Sequence, residues 1–439
     1  MYYFKGYNLN FQIVIYSLLL IVLCLIQFTW FSFEPSGSLV WVVTILIWLL
    51  GLFYVKESTS IVIFYFFMLS YFLIPYQHFV LGKIISGYSV LFHEPYLVNK
   101  VSIINSIFLS SLNIMLFKVN DSGIKKLDNW TKSNSIIFFC SLLVILPLIH
   151  FGASGETILN SSYGATKSEK SAIYEYVAVF FIIPILFTNK SKLQLFFLYG
   201  CLFFYISKTL MYGSRLEMIQ SGLLFFFFFY NYARDISKKK LIVTFLFLIF
   251  TVKLLGMIRS NPVEFLYYIT DVGLFWEYLT RGNDSLYIQT NSGDVYYASM
   301  RLIGLIDTGV MSITDRLLSL CSFIFNLPLS LSDYKTYANL ASYKSDIYPT
   351  GGGGLTPVYF FVWLGYFGVV IGAIFIGYIF RQFHYSNNMY FRIYGLSLLI
   401  TFPRWFPYSP IGFMKISIII TIFYFVCLSL STKIKDIKG

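Results

Sequence analysis

The chain has 439 residues, of which 57% are hydrophobic, 21% aromatic and only 12% charged, with a mean hydropathy of +0.72. Soluble domains carry roughly 25% charged residues, so this composition excludes a water-facing globule and makes the bilayer the solvent for most of the chain. The net charge of +12 calls for no nucleic-acid partner, because an orientation signal and attraction to anionic membrane lipids account for it.

A helix needs roughly 20 apolar residues to cross a hydrocarbon core of about 30 Å. Runs of that kind recur along the sequence, too long and uninterrupted for the alternating strands of a membrane barrel. Backbone satisfaction in lipid then leaves helices. In chain order the expected spans are 11–33, 38–55, 60–81, 98–117, 135–151, 172–188, 193–211, 216–232, 241–258, 355–380, 390–402 and 411–430. The first has only Lys5 ahead of it and no small-residue cleavage site, so it reads as a retained helix and not as a removed leader. The segment 317–331 is apolar but short and reads as an interfacial or re-entrant helix. The expected fold is an all-α polytopic membrane protein of about twelve transmembrane helices. Nine spans fill 1–258, a long external (periplasmic) loop with short helices fills 259–354, and the last three spans with a cytoplasmic tail fill 355–439.

Lysine and arginine gather on cytoplasmic loops. With both termini inside, Lys118, Lys125, Lys126 and Lys132, then Arg234 and Lys238 to Lys240, then Lys433, Lys435 and Lys438 all fall on one side. The five cysteines (Cys24, Cys140, Cys201, Cys321 and Cys427) lie mostly inside apolar runs, so no disulfide framework is expected.

Arginine departs from this pattern. Arg234, Arg381 and Arg392 are cytoplasmic, whereas Arg215, Arg259, Arg281, Arg301, Arg316 and Arg404 all fall on the external side. The planar guanidinium suits bidentate capture of phosphate or carboxylate. Singly, each of these arginines would equally snorkel to a headgroup or pair with a carboxylate; converging on one cavity, they would bind an anion. The 259–354 segment adds Glu264, Glu277, Asp294, Asp307 and further carboxylates. Its aromatics include Trp276, Tyr278, Tyr296 and Tyr297, a mixture suited to sugar hydroxyls and sugar faces or, in part, to an interfacial aromatic belt. None of the four histidines lies there, no Asp-x-Asp pair exists, and no phosphate-binding loop or nucleophile elbow is present. This segment therefore supplies a carboxylate base or none.

Three stretches complete the pattern: Tyr212-Gly213-Ser214-Arg215, the run Gly351 to Gly354 leading through Leu355-Thr356-Pro357 into Phe360 to Gly368, and Phe402-Pro403-Arg404. With the span count and the late external loop, the chain resembles the O-antigen polymerase (Wzy) family of lipid-linked oligosaccharide polymerases. That resemblance implies a GT-C-like glycosyltransferase of the bacterial inner membrane. Its substrates would be oligosaccharides on undecaprenyl diphosphate, its surroundings membrane lipids and its partner a chain-length regulator protein, with no cofactor or metal. An acceptor hydroxyl would attack the donor's anomeric carbon as undecaprenyl diphosphate leaves. Arg215, Arg259 and Arg404 would stabilise the departing charge, and Asp294 or Glu277 would take the proton. Arg281, Arg301, Gly213, Ser214, Gly352 and Gly353 would bind pyrophosphate or glycan, the glycine run serving as a phosphate nest or, equally, as a hinge. Two other readings remain. One is an O-antigen ligase, disfavoured by the histidine-free loop. The other is a flippase or transporter of lipid-linked oligosaccharide, disfavoured because the spans carry few charges (Glu217, Lys253, Lys415).

Overall fold

The computed structural model describes residues 6–87, 90–92, 94–119, 133–155, 157, 169–171, 173–212, 214–232, 270, 273, 286–288, 290–325, 340 and 353–438. Its helices in chain order are α1 (Gly6–Phe33), α2 (Val40–Val55), α3 (Thr59–Phe72), α4 (Ile74–Phe79), α5 (Pro95–Met115), α6 (Ser135–Phe151), α7 (Val177–Phe180) and α8 (Ile182–Phe187). They continue with α9 (Lys192–Met211), α10 (Arg215–Tyr232), α11 (Asn291–Asp307), α12 (Ile313–Phe325), α13 (Thr356–Tyr385), α14 (Met389–Trp405) and α15 (Ile411–Lys438). Strands β1 (Ile85–Gly87) and β2 (Val90–Phe92) pair antiparallel, as do β3 (Ala153–Ser154) and β4 (Glu169–Lys170).

Among the described residues, five stretches are long and apolar enough to cross a membrane: Phe11–Phe33, Thr59–Phe79, Pro95–Met115, Lys192–Met211 and Thr356–Tyr385. Shorter apolar helices are Val40–Val55, Ser135–Phe151, Tyr174–Phe187 and Lys415–Ser431. Helices α10 and α14 cover the expected eighth and eleventh spans. The expected ninth span and most of the basic loops lie outside the described residues. All five cysteines are free.

Two of the expected spans are broken just ahead of a proline. Pro75 lacks the N–H that would bond the Tyr71 carbonyl, and the third span divides at Leu73 into α3 and α4. Pro184 lacks the one that would bond the Phe180 carbonyl. The expected helix 172–188 becomes a 3-10 turn at Tyr174–Tyr176, then α7 and α8.

The chain folds as two compact units. The first comprises Met1–Ile124, Asp284–Gly395 and Arg404–Lys415 and is organised around α5, which packs on α1, α2, α11 and α13. Buried polar residues of α5 recur at helical spacing: Asn99, Ser102, Ser106, Ser110 and Asn113. Small and polar side chains let membrane helices approach closely and bond across the interface. Asn99 donates to the carbonyls of Pro35 (3.0 Å) and Gly37 (2.8 Å), Thr44 bonds Ser106 (2.8 Å), and Asn113 donates to the Ile47 carbonyl (3.0 Å).

Helix α13 is interrupted at Leu364 (φ −132°, ψ 18°) and Gly365 (φ 64°, ψ −153°), the latter a left-handed conformation that glycine adopts without steric cost. A break there deprives the carbonyls just before it of helical N–H partners. Arg316 of α12 takes over, donating to the Val362 carbonyl and, at 3.5 Å, to that of Phe361. Trp363 donates to Ser319 at 2.9 Å and stacks near Phe323 with centroids 4.5 Å apart.

Helix α11 lies within 259–354 and is buried against α5, β1 and α13. Tyr296 and Tyr297, expected as sugar platforms, are 0% and 1% exposed. The Tyr296 hydroxyl donates to the Val98 carbonyl at 2.9 Å. Residues Val295 to Met300 are all buried, so this stretch of α11 is enclosed on every side and the two tyrosines serve as core.

The second unit comprises Lys125–Asn283, Leu396–Pro403 and Ile416–Gly439. Here α6 packs on α8 and α9, and α10 on α7 and α9. Asn134 caps α6 by accepting from the amides of Ile136 and Ile137, and its own amide donates to Ser431 at 2.9 Å. The Tyr205 hydroxyl donates to the Tyr174 carbonyl at 3.1 Å.

Candidate functional site

The first unit gathers its exposed chemistry at the start of α11. Thr290 caps this helix, its hydroxyl accepting from the Gly293 amide at 3.1 Å. Asn291 and Asp294 lie in the first turn. The Tyr408 hydroxyl donates to Asn291 Oδ1 at 2.6 Å, and the Tyr71 hydroxyl hydrogen-bonds the side chains of Asn291 and Ser292. The other end of Tyr408 is held as well: its carbonyl accepts from the Tyr359 hydroxyl at 3.0 Å. The Arg404 guanidinium stands over the Tyr408 ring, 5.1 Å from its centroid. The segment bearing Arg404 and Tyr408 is tied to the start of α13, since the Thr356 amide donates to the Phe406 carbonyl at 2.8 Å and its hydroxyl to the Trp405 carbonyl.

Gly353 explains part of the glycine run. A Cβ there would lie 1.7 Å from the Tyr408 carbonyl oxygen, so only a residue without a side chain lets these two backbones approach. Gly353 and Gly354 are buried, and the Leu355 amide donates to Ser299 at 2.8 Å. Neither the open phosphate nest nor the hinge expected at Gly353 describes this position, which is a tight backbone crossing that fixes Tyr408.

Burial pushes the Asp294 carboxyl up from the usual carboxylate range to about 6. Loss of water disfavours the anion there and outweighs the pull of the helix N-terminus, which favours it. Arg301, two turns further along α11, is half-buried and folds back on its own helix. Its Nε donates to the Tyr297 hydroxyl at 3.1 Å, with the guanidinium 5.1 Å from that ring's centroid.

Tyr408 thus links Arg404, Gly353 and the helix turn that carries Asp294. Arg215 and Ser214 belong to the second unit: Arg215 is exposed as the first residue of α10, and Ser214 is buried with its amide donating to the Thr209 carbonyl at 2.8 Å. Arg259, Arg281, Glu277, Gly213 and Gly352 lie outside the described residues.

A second cluster in the first unit was not expected. Lys100 of α5 pairs with Asp307, the last residue of α11, at 2.6 Å, and donates to Tyr96 at 3.2 Å. Its ammonium lies 5.4 Å from the Tyr96 ring and 5.8 Å from the Phe361 ring. Asp307 is thereby a salt-bridged carboxylate that ties the end of α11 to α5. Tyr71, Tyr408 and Lys100 escaped the sequence reading because each lies inside or beside an apolar run and gains its meaning from a partner far away in sequence.

Chemically, the first turn of α11 carries a carboxyl raised to about 6, and the Tyr408 phenol joins that turn, through Asn291, to the Arg404 guanidinium. Among the described residues, no three His, Cys, Asp or Glu side chains come together as metal ligands would. No protein family, curated protein or solved structure matches the chain.

Proposed function

We propose that this protein polymerises lipid-linked oligosaccharide repeat units, as O-antigen polymerases do. It would transfer a growing glycan from undecaprenyl diphosphate to the non-reducing end of a single unit on the same lipid. In this reading the chain crosses a bacterial inner membrane about twelve times with both termini cytoplasmic, and the start of α11 faces the periplasm. The observation that carries the proposal is the Asn291–Tyr408–Arg404 linkage beside Asp294. It ties Arg404 to the helix turn whose Asp294 carboxyl burial raises to about 6, in a largely apolar helical unit.

The steps assign one role to each group. The acceptor hydroxyl attacks the anomeric carbon of the donor's first sugar and gives its proton to the Asp294 carboxylate. The bond from that carbon to the diphosphate oxygen breaks, and its electron pair leaves with undecaprenyl diphosphate. Arg404 faces the growing negative charge, which is larger in the transition state than in the bound donor, so its attraction accelerates the step. Tyr408 positions Arg404 by its ring and the α11 turn by its hydroxyl.

Surface-glycan gels of cells lacking the protein test this reading. Loss of a polymerase leaves the lipid core capped by one repeat unit. Loss of a ligase would leave polymer on undecaprenyl diphosphate and none on the core, and loss of a flippase would leave neither. The one-repeat pattern is the predicted result, and either of the others replaces the proposal.

A further inference from the structure

The break in α13 leaves a crevice of about 210 Å³ between this helix and α12. Leu320, Phe323 and Ile324 form one wall, and Trp363, Ile371 and Phe375 much of the other. Its lining is almost wholly apolar, and such a space stays dry. It is also smaller than the roughly 300–1,000 Å³ of pockets that enclose compact ligands, and it offers no polar group to orient one. A segment of hydrocarbon chain fits these requirements. The crevice has a side opening onto surface, since Ile324 of α12 and Leu364, Ile371 and Phe375 of the strongly apolar α13 are exposed.

Its two ends differ. Arg316 lies one turn before Leu320 on the same face of α12 and is half-buried, with its guanidinium at the Phe361 and Val362 carbonyls. The Lys100–Asp307 pair stands near the same level of α13, through Phe361. Polar groups therefore collect at residues 361–362, and the apolar walls continue beyond them along both helices. That is the order of an amphiphile, head then tail.

We propose that this crevice is a lipid site in which one acyl chain of an anionic bilayer phospholipid lies between α12 and α13, with its phosphate against Arg316. Arginine is suited to phosphate oxygens. The acyl chains of the bilayer are the solvent of these helices and vastly outnumber any other hydrocarbon, so mass action fills the crevice with them. This assignment does not depend on the polymerase reading.

The test uses the full chain in nanodiscs doped with a phospholipid carrying a photoreactive group on its acyl chain, with labelled peptides mapped by mass spectrometry. Labelling is expected to concentrate at 320–324 and 368–375, several-fold above the exposed face of α1 around Leu18–Ile26, and to be stronger with phosphatidylglycerol than with phosphatidylcholine. Ile371→Trp, at an exposed position that tolerates bulk, fills the crevice and should remove the excess. Arg316→Gln should level the two headgroups. Labelling no higher than on α1, or excess labelling that persists in Ile371→Trp, overturns the site. Equal labelling by both headgroups in the unaltered protein overturns the role of Arg316. Displacement of the phospholipid probe by trace polyprenyl phosphate reassigns the crevice to that lipid and overturns the proposal.

Discussion

The hydroxyl of Tyr408 donates a 2.6 Å hydrogen bond to Oδ1 of Asn291, joining the turn after α14 to the first turn of α11 across 117 positions of sequence. A net contribution of about 1 kcal/mol is ordinary for such a bond. Tyr408→Phe keeps the ring beneath Arg404 and removes only the hydroxyl. The purified variant should lose about that much stability in a thermal-shift assay and make shorter glycans. Unchanged chain length would show that the link is not needed for turnover.

Asp294 carries a pH prediction. The folded protein holds its proton up to about pH 6, whereas a free aspartate side chain releases it near 3.8. The stabilisation from that proton is complete below about pH 4 and is lost as pH rises through 6. Asp294→Asn should therefore flatten the stability profile across that interval. If the carboxylate is the base, log rate rises with pH up to about 6 and then levels in the unaltered protein, and that rising limb disappears in Asp294→Asn.

Arg404 gives a graded prediction. Arg404→Ala should lower turnover by about 10²–10³, the usual loss for a preorganised charge-stabilising donor. Arg404→Lys should recover only part, because a compact ammonium cannot fork to two oxygens as the guanidinium over Tyr408 can. Radiolabelled repeat-unit incorporation in membrane vesicles measures both.

Two glycines should respond in opposite ways. Gly353→Ala drives a methyl into the Tyr408 carbonyl, and overpacking against backbone costs about 1–3 kcal/mol or more; the variant should be lost from the membrane fraction. Gly200, within α9, has nothing within 4 Å of an added Cβ. Gly200→Ala should leave stability unchanged or raise it by roughly 0.5–1 kcal/mol. Fluorescence-detected size exclusion after a heating series separates these outcomes.

The apolar runs were legible because a bilayer-crossing helix leaves a signature in a window of contiguous residues, and α1, α5, α9 and α13 all bear it. Their internal breaks were less so. The apolar content of 355–380 hides the turn at Leu364 and Gly365, although Gly365 is the residue type such a turn needs. Arg404 stands out because charge beside apolar sequence is costly and rare, whereas the sequence does not choose between Asp294 and Glu277. Tyr408 does not stand out: it is one tyrosine among 36, and its role comes from Asn291, Tyr359 and Gly353, which no local pattern connects to it. Tyr296 and Tyr297 misled for the same reason, since their burial is decided by α5 and not by their neighbours in sequence.

The most direct measurement is elongation by the purified protein, reconstituted with a synthetic repeat unit on undecaprenyl diphosphate and analysed by mass spectrometry. The account predicts a ladder of glycans each one unit longer than the last, one undecaprenyl diphosphate released per unit joined, and no ladder from Arg404→Ala or Asp294→Asn that still fold. A reconstituted protein that joins no units, or an equal ladder from both variants, would contradict it.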